Sequence, residues 1–109
     1  MLLLEAEIYL HKPSDSASAL KNDLETRHII RPSINFGNDQ LFSGDIWALH
    51  QEKMFYRGVN YTVLIKMPTI ESEAFESIGR FVRPGNSFRI QTGLRVIGTG
   101  TIKDYIYEE

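Results

Sequence analysis

Leu4, Ala6, Ile8 and Leu10 alternate with Glu5, Glu7 and Tyr9 near the start of the chain. A period of two is the pattern of a strand with one buried face. The same period returns near the other end, where Phe88, Ile90 and Thr92 alternate with Arg89 and Gln91. Gly93 marks a tight turn, and a second strand runs from there to Tyr107. In that strand Val96, Gly98, Gly100 and Ile102 fall on one face, and Ile97 and Thr99 on the other. Two glycines on one strand face predict a strand that coils hard, as barrel strands do.

Between these ends the pattern predicts three more strands. Arg31 to Phe36 is one, with Pro32 confined to its start or to an edge because proline has no N–H to donate. Ile46 to His50 is the second, with Trp47 and Leu49 on a common face. Tyr61 to Lys66 is the third, rich in β-branched and aromatic residues. Residues 13–28 are polar and of turn-forming type; Ala17 to Glu25 reads equally as one or two helical turns capped by Ser14 or Ser16, or as irregular chain. Thr69 to Arg80 places Ile70, Ala74, Phe75 and Ile78 at helical spacing, which predicts a short amphipathic helix, with two extra strand-like segments as the alternative. Short strands separated by turn signals predict an all-β sandwich or barrel in one domain spanning 1–109.

Composition narrows the chemistry. The chain carries a net charge of -2 and no cysteine, which excludes a disulfide framework and a thiolate site and suits a cytoplasmic protein. Its apolar start, Met1 to Leu4, has no basic segment before it and is too short for a signal core or a membrane span. His11, His28 and His50 sit at no metal-binding spacing, so no metal and no cofactor is expected. Gly98-Thr99-Gly100 lies inside a strand, not before a helix, so it is no phosphate loop and no nucleotide is expected. Glu5/Glu7 and Glu71/Glu73 read as polar-face pairs, and no nucleophile–base arrangement is evident; the chain reads as a non-enzyme.

Charge is unevenly spread. Between Ser77 and Lys103 there is no acid, while Arg80, Arg83, Arg89, Arg95 and Lys103 are all basic. They form either a basic stripe suited to phosphates or partners for the glutamates of the first strand and of residues 71–76.

Three motifs carry a resemblance to a known family. Phe88, Ile90, Gly93, Arg95, Gly98 and Gly100 match Phe-x-Ile-x-x-Gly-x-Arg-x-x-Gly-x-Gly, which resembles the last hairpin of the third, C-terminal domain of elongation factor Tu. Glu5-Ala6-Glu7-Ile8-Tyr9 resembles the opening of that domain, and Arg31-Pro32 its Arg-Pro-Gln strand start. The resemblance implies a closed six-stranded Greek-key barrel, with a short helix or an extra hairpin at about 70–80. With no phosphate loop or Walker lysine motif, the chain shows no sign of the GTPase domain that such factors carry. In that family the barrel holds the backbone of tRNA; carried over by position, the contacts fall on Ser33, Gln91 and Gly93, and Arg31 and Arg95 remain beside them as binding or structural arginines. Here Ser33 replaces a glutamine, Gln91 an arginine, and Thr92 a glutamate used toward the GTPase domain. With Arg83 and Arg89 from the basic stretch, these are the candidate binding residues. Two functions follow as expectations. One is a protein-interaction or factor-mimicking domain. The other is a translation-associated module that binds structured RNA.

Overall fold

A computed structural model describes residues 1–109. Nine strands and one helix follow in the order β1 (Leu2–Leu10), β2 (Leu24–Glu25), β3 (Ser33–Asn35), β4 (Phe42–Ser43), β5 (Asp45–Ala48), β6 (Met54–Phe55), β7 (Asn60–Met67), α1 (Ser72–Ile78), β8 (Ser87–Thr92) and β9 (Arg95–Tyr107). Seven strands form one antiparallel sheet in the order β4-β3-β8-β9-β1-β7-β5, and β2 pairs with β6 in a separate ribbon.

The alternation of β1 sends Leu2, Leu4, Ala6, Ile8 and Leu10 into the core, each at most 2% exposed. This strand is the axis of the sheet. It pairs with β7 from Leu2↔Met67 to Tyr9↔Asn60 and with β9 from Leu2↔Tyr107 to Leu10↔Gly98. The motifs from the two ends of the chain are therefore neighbours in space. Val63, Ile65 and Met67 enter the same core from β7, Ile34 from β3, and Phe88 and Ile90 from β8. Each fully buried Leu or Ile contributes about 1.5–3 kcal/mol over its exposed state, so this one cluster dominates the stability. The helix predicted over Thr69–Arg80 forms as α1; Ile70 and Ile78 seal one end of the core, and Phe75 stacks on Tyr107 with ring centroids 4.0 Å apart.

The sheet curls into a half-barrel instead of the closed six-stranded barrel expected. Its two ends approach each other where the strap before β3 passes β5. There Ile46 N donates to Ile30 O at 2.9 Å and Gly44 N to Pro32 O at 3.0 Å, and Ile30↔Ile46 is a single antiparallel bridge. Pro32 interrupts this pairing because it has no N–H to donate, and the same register resumes at Ser33↔Ser43.

Of the two readings of Ala17–Glu25 the irregular one holds: Ala19 N donates to Ser16 O in a turn, and Leu24 and Glu25 pair with Phe55 and Met54. The alternation of β8 fails at its end. Ile90 pairs with Gly98 but Gln91 with Val96, so Ile97 is an extra residue on β9. A bulge of this kind breaks the period of two. Gln91 is consequently buried, at 5% exposure, Ile97 turns inward, and Thr92 is exposed.

Candidate binding surfaces

The seven candidate residues do not converge on one site. Gln91 accepts a hydrogen bond from Asn35 Nδ2 at 2.9 Å and donates from Nε2 to Gly93 O at 3.1 Å. It closes a buried amide pair and is withdrawn from solvent. Ser33 stands directly opposite it across β3 and β8. Gly93 takes a φ of 59°, the left-handed conformation that the two-residue turn into β9 requires and that glycine adopts without cost. Arg95 turns away from the hairpin face; its Nη2 donates to the carbonyls of Ser18 and Ala19 at 3.0 and 3.1 Å, tying down the 13–32 segment. Arg31 donates from Nε to Asp45 at 2.5 Å, and that bond and charge raise the guanidinium's pKa above its ordinary value.

Arg83 and Arg89 remain as exposed cations. Arg89 projects from β8 opposite Thr99, and Arg83 donates to the Tyr105 hydroxyl at 3.3 Å. Arg80 lies 4.8 Å over the Phe81 ring. The pairing of the basic stretch with glutamates does not form: no carboxylate lies within 4.0 Å of Arg80, Arg83, Arg89, Arg95 or Lys103. The basic face is narrow, however, because Glu7 stands opposite Thr101 on the adjoining strand and Asp104 follows Lys103.

The 13–32 segment carries what the residue patterns did not reveal. Three anchors hold it: Arg95 on Ser18 and Ala19, Thr26 N on Lys53 O at 3.0 Å, and Arg57 on Asp23. The Arg57 backbone N–H and then its guanidinium hold the Asp23 carboxyl below the usual carboxylate range. Residues 26–31 thus become a strap across the sheet opening, with a surface on each side.

On the outer side, the Ile30↔Ile46 bridge sets Ile29 against Trp47, and β5–β7 pairing sets Trp47 against Leu64. Ile29 is 78% exposed and Trp47 52%, and together they line a depression of about 230 Å³. Lys66 Nζ sits 4.4 Å over the Trp47 ring. On the inner side lies a cleft of about 570 Å³ between the strap and the end of the barrel-like core. The sequence held one sign of both surfaces: the adjacent Ile29 and Ile30, isolated in a polar stretch, after Leu20 and Leu24.

No group of three or more His, Cys, Asp or Glu side chains comes together as a metal site, and no helix is long and apolar enough to cross a membrane. The chain matches no protein-family model, and a search of curated proteins finds no match.

Proposed function

We propose that this chain is a non-enzymatic binding module whose partner is another protein, met on the outer row Ile29–Trp47–Leu64. The observation that carries this reading is the juxtaposition of Ile29 and Trp47, both more than half exposed, on a sheet face. A solvated pair of large apolar side chains has no role in the fold, whereas Trp within a cationic surround is a common interface anchor. Lys66 and Arg27, whose side chain is 76% exposed, flank the row, so the partner presents an apolar centre with acidic neighbours. The scaffold is read as a divergent relative of the third domain of elongation factor Tu; the β1–β9 pairing of its two end motifs supports that kinship.

A photo-crosslinker placed at Ile29 tests the assignment in extracts of the source cells. The expected result is one crosslinked protein that survives nuclease treatment and disappears with Trp47→Glu, at unchanged melting temperature. Crosslinking that is indifferent to Trp47→Glu, or that yields only a second copy of this chain, overturns it.

The unpaired Arg80, Arg83, Arg89 and Lys103 favour RNA as the second reading. It predicts binding of structured RNA that weakens steeply with salt, with a log–log slope of roughly 0.7–0.9 per phosphate contact. Arg89→Glu then lowers the slope without altering stability. No mobility shift with tRNA at low salt removes this reading.

A further inference from the structure

We propose that the cleft behind the strap is a binding site for a small amphipathic anion, an aliphatic carboxylate of medium chain length. The cleft shares Ile29 and Arg27 with the protein-binding row, whose Trp47 and Leu64 lie outside its lining. The cleft measures about 570 Å³, within the range of roughly 300–1,000 Å³ typical of small-molecule sites, and the mouth of a β-barrel is a common place for one.

Its chemistry is divided between floor and rim. Ile8, Leu10, Ile46, Phe55, Ile90 and Ile97 make an apolar floor, and Leu20, Leu24 and Ile30 the walls. The inward turn of Ile97 is a product of the β8–β9 bulge, so the backbone irregularity shapes the site. A polar ligand would lose its hydration here without recovering hydrogen bonds, whereas a hydrocarbon chain gains by burial.

The rim selects the head group. Asp23 is already engaged by the Arg57 backbone and guanidinium, and Glu25 by Arg27 Nε at 2.6 Å and His28 Nε2 at 3.2 Å. Each of these acids is engaged through one oxygen, Asp23 Oδ1 and Glu25 Oε2. The guanidiniums keep further donors: Arg27 uses only Nε, and Arg31 uses Nε and Nη2 on Asp45. Both Nη groups of Arg27 and Nη1 of Arg31 are free donors four residues apart on one strap. Arg27 and Arg31 side chains are 76% and 57% exposed, so an incoming head group reaches them from solvent. Planar guanidinium donors favour a carboxylate by charge-assisted hydrogen bonding.

Titration of the ¹⁵N-labelled chain with decanoate, followed by NMR, tests the proposal, with decyltrimethylammonium as the same chain bearing the opposite head. Saturable shifts confined to Leu20, Leu24, Ile30, Thr92 and Ile97 are expected with decanoate, and binding at least tenfold weaker with the cationic probe. Arg27→Gln is expected to raise the decanoate Kd about tenfold, the scale of one lost charge-assisted bond. Leu20→Trp, which fills the cleft from its wall, abolishes binding; if that variant misfolds, the head-group comparison and Arg27→Gln decide alone. Absence of saturable shifts overturns the site. Equal binding of both probes, or an unchanged Kd in Arg27→Gln, overturns its assignment to an anion.

Discussion

Strand β9 and the 13–32 segment are both long pieces of chain, and they are held in opposite ways. β9 is held by ladder throughout, by β8 over Arg95–Thr101 and by β1 over Gly98–Tyr107. The 13–32 segment contains only the two-residue β2 and is fastened by a few isolated backbone bonds and by side chains that reach in from elsewhere: Arg57, Arg95 and the Asp45 partner of Arg31. Backbone ladders tolerate most side-chain exchanges, whereas side-chain anchors are lost one substitution at a time. The molecule has placed its stability in the first region and both candidate binding surfaces beside the second. Binding residues commonly sit on such loops over a rigid scaffold.

The strongest way to break this contrast is to damage the ladder. A Cβ on Gly98 would meet the Tyr9 carbonyl oxygen and Leu10 Cα, which are backbone atoms of the neighbouring strand; one on Gly100 would meet the Phe88 ring. Overpacking costs about 1–3 kcal/mol when side chains can adjust, against a total of about 5–15 kcal/mol for a domain. Gly100→Val is expected within that range, because a ring can shift. Gly98→Val is expected to cost more, because the strand cannot move without losing its bonds. Chemical denaturation of both variants measures the order. Equal and small effects would show that the β1–β9 contact is loose and would move this strand from scaffold to binding surface.

A smaller effect is expected at the buried amide pair. Gln91→Ala leaves Asn35 Nδ2 without its partner, at a cost of about 1–3 kcal/mol. Adding Asn35→Ala should cost much less than it does alone, because the two side chains share one bond. Strict additivity in that double-mutant cycle would mean that the pair is not a unit. Because Gln91 also donates to Gly93 O, its loss should loosen the hairpin turn, seen as faster amide exchange at Leu94.

The mildest test concerns the 13–32 segment by itself. Arg57 depresses the folded pKa of Asp23, so the bond stabilises the chain above the ordinary carboxylate pKa of about 3.9 and is lost as pH falls through the lower folded value. Asp23→Asn should therefore lower the melting temperature slightly at pH 7, and the difference should shrink as pH falls below the ordinary carboxylate range. Limited proteolysis at pH 7 should cleave this variant within 13–32 while β1 and β9 stay intact. A cut elsewhere, or a pH-independent difference in melting, would deny that Asp23 anchors a separately held segment.

Much of the scaffold was legible without coordinates. The alternation of Leu4 to Leu10 reports its buried face directly, because a strand side chain's direction follows from parity. The helix at Ser72–Ile78 was legible for the same reason at a different period. Gln91 was misread because the bulge at Ile97 breaks parity, and a bulge depends on the register of two strands rather than on either alone. Arg31 and Arg95 were legible as cations but not as anchors, since Asp45 and the Ser18 carbonyl reach them only in the folded chain.

The position of the long strands along the chain and its mostly β character follow from local pattern, which the chain carries whatever its tertiary state. The openness of the sheet, the burial of Gln91, the strap and its two surfaces do not. They arise where residues far apart in sequence meet: Pro32 interrupts the pairing between the strap and β5, and Arg57 and Arg95 hold the 13–32 segment in place beside it. Local periodicity records which side of an element faces inward. It holds no record of which distant donor satisfies which acceptor, and that pairing built the candidate sites.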